Sequence, residues 1–223
     1  MHNILFDLDG TLTDPGLGIT RCVQYALEKL GRPVPEADDL LFCIGPPLTG
    51  SFAVLLPGEP PSLVKEAVGL YRERYDREGK FENQVYDDIP EALGKLRDKD
   101  CSLFVATSKP EIFARQILVH FGLSPFFAGI YGSRLDGGLS DKGELIGHIL
   151  QEEGLARAES LMVGDRKHDM IGARTCAIAG IGVTYGYGSR AELTEAGADY
   201  LVHAPLAIPE LLARLRQEED EGR

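Results

Sequence analysis

The chain has 223 residues, of which 43% are hydrophobic and 26% are charged, a composition typical of a soluble globular protein. Its 23 basic and 35 acidic residues give a formal net charge of −12, which argues against a general binding surface for nucleic acid polymers or anionic membranes. No apolar run approaches the roughly 20 residues that a transmembrane helix needs. The length suffices for one hydrophobic core, or for one core with a smaller second domain.

The first residues lack the basic and apolar segments of a signal peptide. Four cysteines, Cys22, Cys43, Cys101 and Cys176, are scattered without C-x-x-C spacing. Free thiols in a reducing compartment are therefore expected, and the predicted location is the cytoplasm.

A short apolar run, Ile4–Phe6, predicts a buried strand at the start of the chain. Asp7 and Asp9 follow it directly, and Gly10 permits a sharp turn there. Both carboxylates can then reach the rim of a sheet, where their mutual repulsion calls for a cation. The pair predicts metal-assisted chemistry on an anionic substrate, although an isolated Asp-x-Asp is more often a loop or a helix cap.

Residues 16–84 are predicted to form a helical cap domain. Apolar residues recur at helical spacing from Ile19 to Leu30 and again from Leu63 to Tyr75. Between these two stripes, Gly45–Pro47 and Pro57–Pro61 are typical loop segments. The cap is predicted as an insertion into a core domain made of residues 1–15 and 85–223.

From residue 85 onward, short apolar runs alternate with amphipathic patterns. Strands are predicted at 103–106, 129–132, 161–163, 181–184 and 200–202, and helices at 111–120, around 145–150, at 170–176 and at 206–215. This alternation predicts an α/β fold with a Rossmann-like, doubly wound parallel sheet. Ser189 and Glu192 have capping-box spacing, and the acidic tail 217–223 is expected to be frayed.

Polar residues follow two later strands, at the sheet edge where open α/β folds bind ligands. Thr107-Ser108-Lys109 offers hydroxyls and free N–H groups that suit a phosphate, although a Thr-Ser pair is more often an N-cap. Asp165 and Asp169 offer oxygen ligands of the kind that Mg²⁺ prefers. Lys142 opens a helix, where a cation opposes the helix dipole. The glycines of Tyr185–Gly188 are interpreted as a simple loop, because a lone G-x-G is a weak signal.

In this order, the four polar segments resemble the motifs of the haloacid dehalogenase superfamily of phosphatases. The insert resembles the cap of its phosphoglycolate phosphatase branch, which includes relatives acting on pyrophosphate and nucleoside monophosphates. The resemblance implies Mg²⁺-dependent hydrolysis of a small phosphorylated metabolite through an aspartyl-phosphate. The site residues that it implies are Asp7, Asp9 and Lys142 for catalysis, Gly10, Thr107, Ser108 and Lys109 for substrate binding, and Asp7, Asp9, Asp165 and Asp169 for the metal. One departure is Gly143, where phosphoglycolate-type members usually have proline.

Two other functions stay open at this stage. A phosphomutase of the same superfamily shares the Asp7–Asp9 pair, and a catalytically silent binding or regulatory protein could keep the same fold. The substrate is also open, since Arg21 or Lys109 could contact an anion and Tyr25 or Phe52 could offer a slot for a base. The oligomeric state is not predicted.

Overall fold

The computed structural model describes residues 2–221. In chain order, its strands are β1 (Asn3–Phe6), β2 (Thr13–Asp14), β3 (Gln84–Val85), β4 (Ser102–Pro110), β5 (Gly129–Ser133), β6 (Ser160–Gly164), β7 (Ala179–Val183) and β8 (Tyr200–Val202). Its helices are α1 (Gly16–Lys29), α2 (Leu48–Leu55), α3 (Pro61–Arg74), α4 (Ile89–Arg97), α5 (Glu111–His120), α6 (Lys142–Glu152), α7 (Lys167–Thr175), α8 (Arg190–Glu195) and α9 (Ala207–Glu221).

The main sheet has six parallel strands in the order β5-β4-β1-β6-β7-β8. The chain moves outward from β1 through β4 to β5, returns to β6 on the other side of β1, and moves outward again. Such a reversal opens a crevice at the carboxyl ends of the strands that flank it. Phe6 is in register with Val105 of β4 and Val163 of β6, so the residues that follow these three positions lie side by side. The predicted α/β, doubly wound fold is confirmed.

Alternation along β1 divides the core between the two faces of the sheet. Ile4 and Phe6 pack in a cluster that includes residues of α4, α5 and α9, whereas Leu5 packs with residues of α6 and α7. All three side chains are buried completely or nearly so. Because β1 is covered on both faces, its apolar run is continuous, as expected for a central parallel strand.

Several predicted elements differ from the structure at their ends. The strand predicted at 103–106 continues to Pro110, with a register break between Thr107 and Pro110. The helix predicted from Met170 begins three residues earlier, because the carboxylate of Asp169 accepts the N–H of Arg166 and caps the first turn. Helix α4 has no counterpart among the predicted elements, although Pro90 near its start and the spacing of its apolar residues are typical signals.

Two predictions for the C-terminal part of the chain are corrected. Ser189 accepts the N–H of Glu192 as the cap of α8, but the Glu192 carboxylate accepts instead from Arg166 Nε and the N–H of Lys167. The acidic tail is wrongly predicted as frayed from residue 217, since α9 extends through Glu221. Arg216 donates a hydrogen bond from this helix to the carbonyl of Lys99. Residues 222–223 lie outside the described part of the chain.

The chain divides into two compact units, Met1–Leu12 with Val85–Arg223 and the inserted unit Thr13–Gln84. Strands β2 and β3 pair where the chain leaves and rejoins the sheet-bearing unit, so the predicted insert is not helical at Gln84. On the sheet-bearing side of this crossing, the N–H of Tyr86 donates to the carbonyl of Leu12 at 3.2 Å.

The inserted unit holds α1, α2 and α3, together with a 3-10 turn at Ala37–Cys43 and a π turn at Tyr75–Gly79. Its core includes Phe52, whose ring lies edge-on to Tyr71 with 6.3 Å between centroids. Phe52 therefore serves packing, as does Tyr71, which stacks on Tyr75.

Among residues 2–221, none of the helices combines the length and the apolar character needed to cross a membrane.

Leu93 tests the packing of α4 on the sheet. Its side chain is completely buried, so we expect Leu93→Ala to lower the free energy of unfolding by about 2–5 kcal/mol. Val119→Ala is the control, since Val119 is 65% exposed on α5 and should change stability by no more than about 0.5 kcal/mol. Urea denaturation followed by circular dichroism measures both, and equal stabilities would contradict this packing.

Candidate functional site

The carboxyl ends of β1, β4 and β6 bring the predicted segments together. Asp7 is the first residue after β1, and its N–H donates to the carbonyl of Val163 at 2.9 Å, so its backbone continues the ladder with β6. By alternation, the Asp7 side chain has the same direction as Leu5, toward α6 and α7. Lys142 at the start of α6 and Asp169 in the first turn of α7 meet it there.

Lys142 lies between two carboxylates. Its Nζ is 3.1 Å from Asp7 Oδ1 and 2.8 Å from Asp169 Oδ1, and it also donates to the carbonyl of Ala106 at 2.8 Å. Burial alone would lower the pKa of Lys142, but the charges of Asp169 and Asp7 outweigh it and raise that pKa. The side chain is 4% exposed, so the cation is held inside the protein by its two anionic partners. These partners also offset the unfavourable position of a cation at a helix N-terminus.

The two oxygens of Asp169 have separate tasks. Oδ2 accepts the N–H of Arg166 and caps α7, while Oδ1 faces Lys142. Burial is the main reason that the pKa of Asp169 rises to about 6, with Lys142 acting in the opposite direction and Asp7 adding to the rise. The Asp169 side chain thus both caps the start of α7 and pairs with the charge of Lys142.

Asp7, Asp165 and Asp169 form a buried group of acids that fits a cation. One carboxylate oxygen of each lies within 4.8 Å of the others. Asp165 is fully buried, and its Oδ1 accepts no hydrogen bond from any described residue. Burial, followed by the charges of Asp169 and Asp7, raises the pKa of Asp165 well above its usual value. A hard divalent ion would reverse this penalty, and carboxylate oxygens are the ligands it prefers.

Asp9 forms an ion pair with Lys109, whereas Asp7 and Asp169 contact Lys142. Lys109 Nζ lies 2.5 Å from Asp9 Oδ2, and the two side chains are 6% and 12% exposed. Burial is the main cause that raises the pKa of Asp9. The charge of Lys109 acts to lower this pKa, and the charge of Asp7 adds to the rise. The two acids of the first segment therefore have different environments, as acid and base roles require.

Gly10 has a backbone that a side chain would not tolerate. Its φ is +83°, and a Cβ atom there would lie 2.1 Å from Asp165 Oδ2. The turn after Asp9 consequently needs glycine both for its left-handed conformation and for the close approach of Asp165. This geometry brings the first and fourth segments into direct contact.

The remaining predicted substrate residues lie at the end of β4. Thr107 is 2% exposed, and its hydroxyl accepts the N–H of Lys109 at 3.3 Å. Ser108 donates its hydroxyl to the carbonyl of Ser140, which ties β4 to the segment before α6. Within that segment, Asp141 caps α6 by accepting the N–H of Glu144.

Residues 185–188, which the sequence predicts only as a loop, contact Asp165 and the turn that follows Asp9. The N–H of Tyr187 donates to Asp165 Oδ2 at 2.8 Å, and the Tyr185 hydroxyl donates to the carbonyl of Thr11 at 2.9 Å. The available signal is the pair of glycines that flank Tyr187, which permits close approach of the backbone.

Within the inserted unit, the side chains considered for anion or base binding have protein partners. Arg21 forms an ion pair with Glu82 at 2.7 Å, and Glu82 also binds Arg74 at 2.6 Å. The Tyr25 hydroxyl donates to Glu73. The four cysteines, all within residues 2–221, are buried free thiols.

The chain is similar to known proteins over most of its length. The sequence profile described as "Haloacid dehalogenase-like hydrolase" matches residues 4–183. A 5'-nucleotidase of Pseudomonas aeruginosa is 49% identical over 215 residues, which are 96% of this chain and 94% of that protein. The tyrosine-protein kinase PtkA of Mycobacterium tuberculosis is 37% identical over 201 residues, covering 90% of this chain and 68% of that protein. A phosphoglycolate phosphatase of Colwellia psychrerythraea is 26% identical over 205 residues, covering 88% and 90%.

A solved structure has the same architecture. The crystal structure of a predicted phosphatase from Clostridium acetobutylicum superposes with a TM-score of 0.90 at 41% identity, covering 96% of this chain and 98% of that one.

Gly10 gives a test of the contact between the first and fourth segments. We expect Gly10→Ala to lower the free energy of unfolding by about 2 kcal/mol or more, because it forces a positive φ and a clash with Asp165. Gly94→Ala is the matched control, since a Cβ on that helical glycine would lie in open space and should stabilise α4 by about 0.5–1 kcal/mol. If Gly10→Ala unfolds at the same urea concentration as the wild type, the close approach is wrong.

Proposed function

The chain belongs to the haloacid dehalogenase-like hydrolases and is a phosphoric monoester hydrolase, and we propose that its substrates are nucleoside 5'-monophosphates. The observation that carries this choice is the 49% identity to a 5'-nucleotidase along almost the whole of both chains. Similarity to a phosphoglycolate phosphatase is lower, at 26%. A small phosphorylated metabolite is thus the proposed partner, and a cytoplasmic location stays a prediction.

Mg²⁺ is the proposed cofactor. Asp7, Asp165 and the backbone carbonyl of Asp9 would hold it, with Asp169 beside them, and the buried oxygen of Asp165 without a hydrogen bond supports this assignment. When bound, Mg²⁺ supplies positive charge to the phosphoryl oxygens and so stabilises the transition state electrostatically.

Asp7 is the proposed nucleophile. A carboxylate oxygen of Asp7 attacks phosphorus in line with the ester bond, the bond to the leaving oxygen breaks, and an aspartyl-phosphate forms on Asp7. Lys142, already in contact with Asp7, keeps this carboxylate from facing a dianionic substrate without a counter-charge. Hydrolysis of the acyl phosphate then regenerates the free carboxylate.

Asp9 is the proposed proton carrier. It donates a proton to the departing alkoxide and later accepts one from the attacking water. Burial favours the protonated form of Asp9, while Lys109 stabilises the carboxylate that remains after the donation. Both states that the cycle requires are therefore supported by contacts of the same side chain.

The end of β4 is the proposed phosphate cradle. Thr107 and Lys142 would stabilise the equatorial oxygens, on which negative charge lies in the transition state. Ser108, Lys109 and the turn at Gly10 complete the proposed substrate contacts. The ion pair between Lys109 and Asp9 supports this assignment, since the lysine charge lies beside the proposed proton donor.

Two alternatives have less support. A phosphomutase would use the same acids but would return the phosphoryl group to a sugar instead of releasing it. A silent binding protein would be expected to lack an acid or the lysine of the site, whereas Asp7, Asp165, Asp169 and Lys142 are all present. The kinase PtkA, at 37% identity, is a relative with a different named activity, so phosphate release itself has to be measured.

Asp7→Asn tests the nucleophile. We expect it to reduce Mg²⁺-dependent phosphate release from p-nitrophenyl phosphate by at least about 10³-fold, because an amide oxygen is a poor nucleophile. The control is Asp98→Asn, an exposed acid between the end of α4 and the start of β4. It precedes the amino end of β4, whereas Asp7 follows the carboxyl end of the parallel strand β1, and it should retain wild-type kcat. Full activity in Asp7→Asn would contradict the proposed mechanism.

A substrate panel tests the choice of ester. We expect kcat/KM for nucleoside 5'-monophosphates to exceed that for phosphoglycolate by at least about tenfold, which corresponds to 1.4 kcal/mol of transition-state binding. Inorganic phosphate should be released in a 1:1 ratio to nucleoside. A preference for phosphoglycolate would reject the proposed substrate, and isomerised phosphate ester without free phosphate would favour the mutase.

A further inference from the structure

The segment Tyr185–Gly188 lies over Asp165 for a reason of topology. It follows β7, which is the neighbour of β6 in the sheet, and Asp165 is the first residue after β6. The chain therefore leaves β7 at the same edge and beside the acid. We name residues 185–188 the tyrosine-glycine segment.

The backbone of this segment contacts Asp165 without side chains between them. A Cβ at Gly186 would lie 2.5 Å from Asp165 Cβ and 2.2 Å from the carbonyl oxygen of Gly10, and a Cβ at Gly188 would lie 1.8 Å from the carbonyl oxygen of Asp165. Distances below 3.0 Å are essentially never found for real Cβ atoms. Only glycine at these two positions allows the segment to approach so closely.

The close approach allows the segment to donate a hydrogen bond to one oxygen of the Asp165 carboxylate. Tyr187 donates its N–H to Asp165 Oδ2 at 2.8 Å, whereas Asp165 Oδ1 accepts no hydrogen bond from the described residues. A carboxylate fixed through one oxygen has a defined rotamer, and its second oxygen is left for another ligand. Partners of this kind orient metal ligands and affect metal affinity strongly.

The segment is itself anchored at its first residue. The Tyr185 hydroxyl donates to the carbonyl of Thr11 at 2.9 Å, and the Tyr185 ring lies edge-on to Tyr86 with 5.1 Å between centroids. The hydrogen bond to Thr11 connects the segment to the turn that follows Asp9, and the ring contact connects it to the residue that follows β3.

We propose that the tyrosine-glycine segment is a positioning element that orients Asp165 for Mg²⁺ and thereby sets the Mg²⁺ affinity of the site. The proposal rests on the Mg²⁺ site of the proposed function. It assigns no chemical step to the segment, since Tyr187 acts through Asp165 by a backbone N–H.

Mg²⁺ binding to the EDTA-treated full chain, measured by isothermal titration calorimetry, tests the proposal. We expect Gly186→Ala to raise the Kd for Mg²⁺ by about 10- to 100-fold, because its Cβ forces the segment away from Asp165. Gly94→Ala, whose Cβ meets open space, should bind like the wild type. In the activity assay, excess Mg²⁺ should restore much of the kcat of Gly186→Ala, as expected when metal affinity rather than chemistry is impaired.

Tyr185→Phe keeps the proposal falsifiable if Gly186→Ala does not fold. It removes the hydrogen bond to Thr11 but retains the ring, and we expect a several-fold higher Kd for Mg²⁺. Tyr131→Phe is the control for this variant, since the hydroxyl of Tyr131, on the edge strand β5, donates to Glu153. Loss of that hydrogen bond should leave the Mg²⁺ affinity unchanged.

The outcomes separate the two proposals. Wild-type Mg²⁺ affinity in folded Gly186→Ala, or in Tyr185→Phe, would overturn the positioning role while leaving the Mg²⁺ site in place. An equal loss of affinity in Tyr131→Phe would overturn it as well, by showing a general effect of stability. Absence of Mg²⁺ binding to the wild type would overturn the metal site of the proposed function, and the positioning role with it.

Discussion

The ion-pair chain from Asp7 through Lys142 to Asp169 is the constraint on which the site depends. A buried lysine with two carboxylates is stable only while all three groups are present, since removal of one partner leaves an uncompensated buried charge. The three side chains come from the end of β1 and the first turns of α6 and α7, so the two ion pairs join the starts of both helices to the end of the central strand. A lysine at a helix N-terminus is unfavourable by itself, so the two carboxylates outweigh the helix dipole at Lys142.

Charge at the strand ends is divided between two groups. Lys142 faces Asp7 and Asp169, and Lys109 faces Asp9, while Asp165 is held by a backbone N–H. Acids that lie close together in the sequence thus have different partners in space. Asp7 and Asp9 therefore lie two residues apart in the chain, yet each carboxylate contacts a different lysine.

Much of this arrangement is predictable from the sequence, and the rest depends on contacts that leave little trace in it. The sheet and the strand-end placement of Asp7 and Asp165 follow from apolar runs that end in polar residues, whereas the strand before Thr107 continues to Pro110. The N-terminus of α7 is placed too late because an acid three residues inside a helix acts as its cap. Tyr185–Gly188 is undervalued for a related reason, since its contribution is a backbone N–H and the absence of two Cβ atoms.

The hydrogen bond between Tyr86 and Leu12 has an evolutionary consequence. Because the chain leaves and re-enters the sheet-bearing unit at adjacent points, the 13–84 segment has closely spaced ends, and closely spaced ends are what tolerated domain insertions require. Replacement of that segment by another of different length would leave the strand order and the charged side chains of the sheet edge untouched. Residues 12 and 85 are therefore the junctions at which exchange of the inserted segment is expected to be tolerated best.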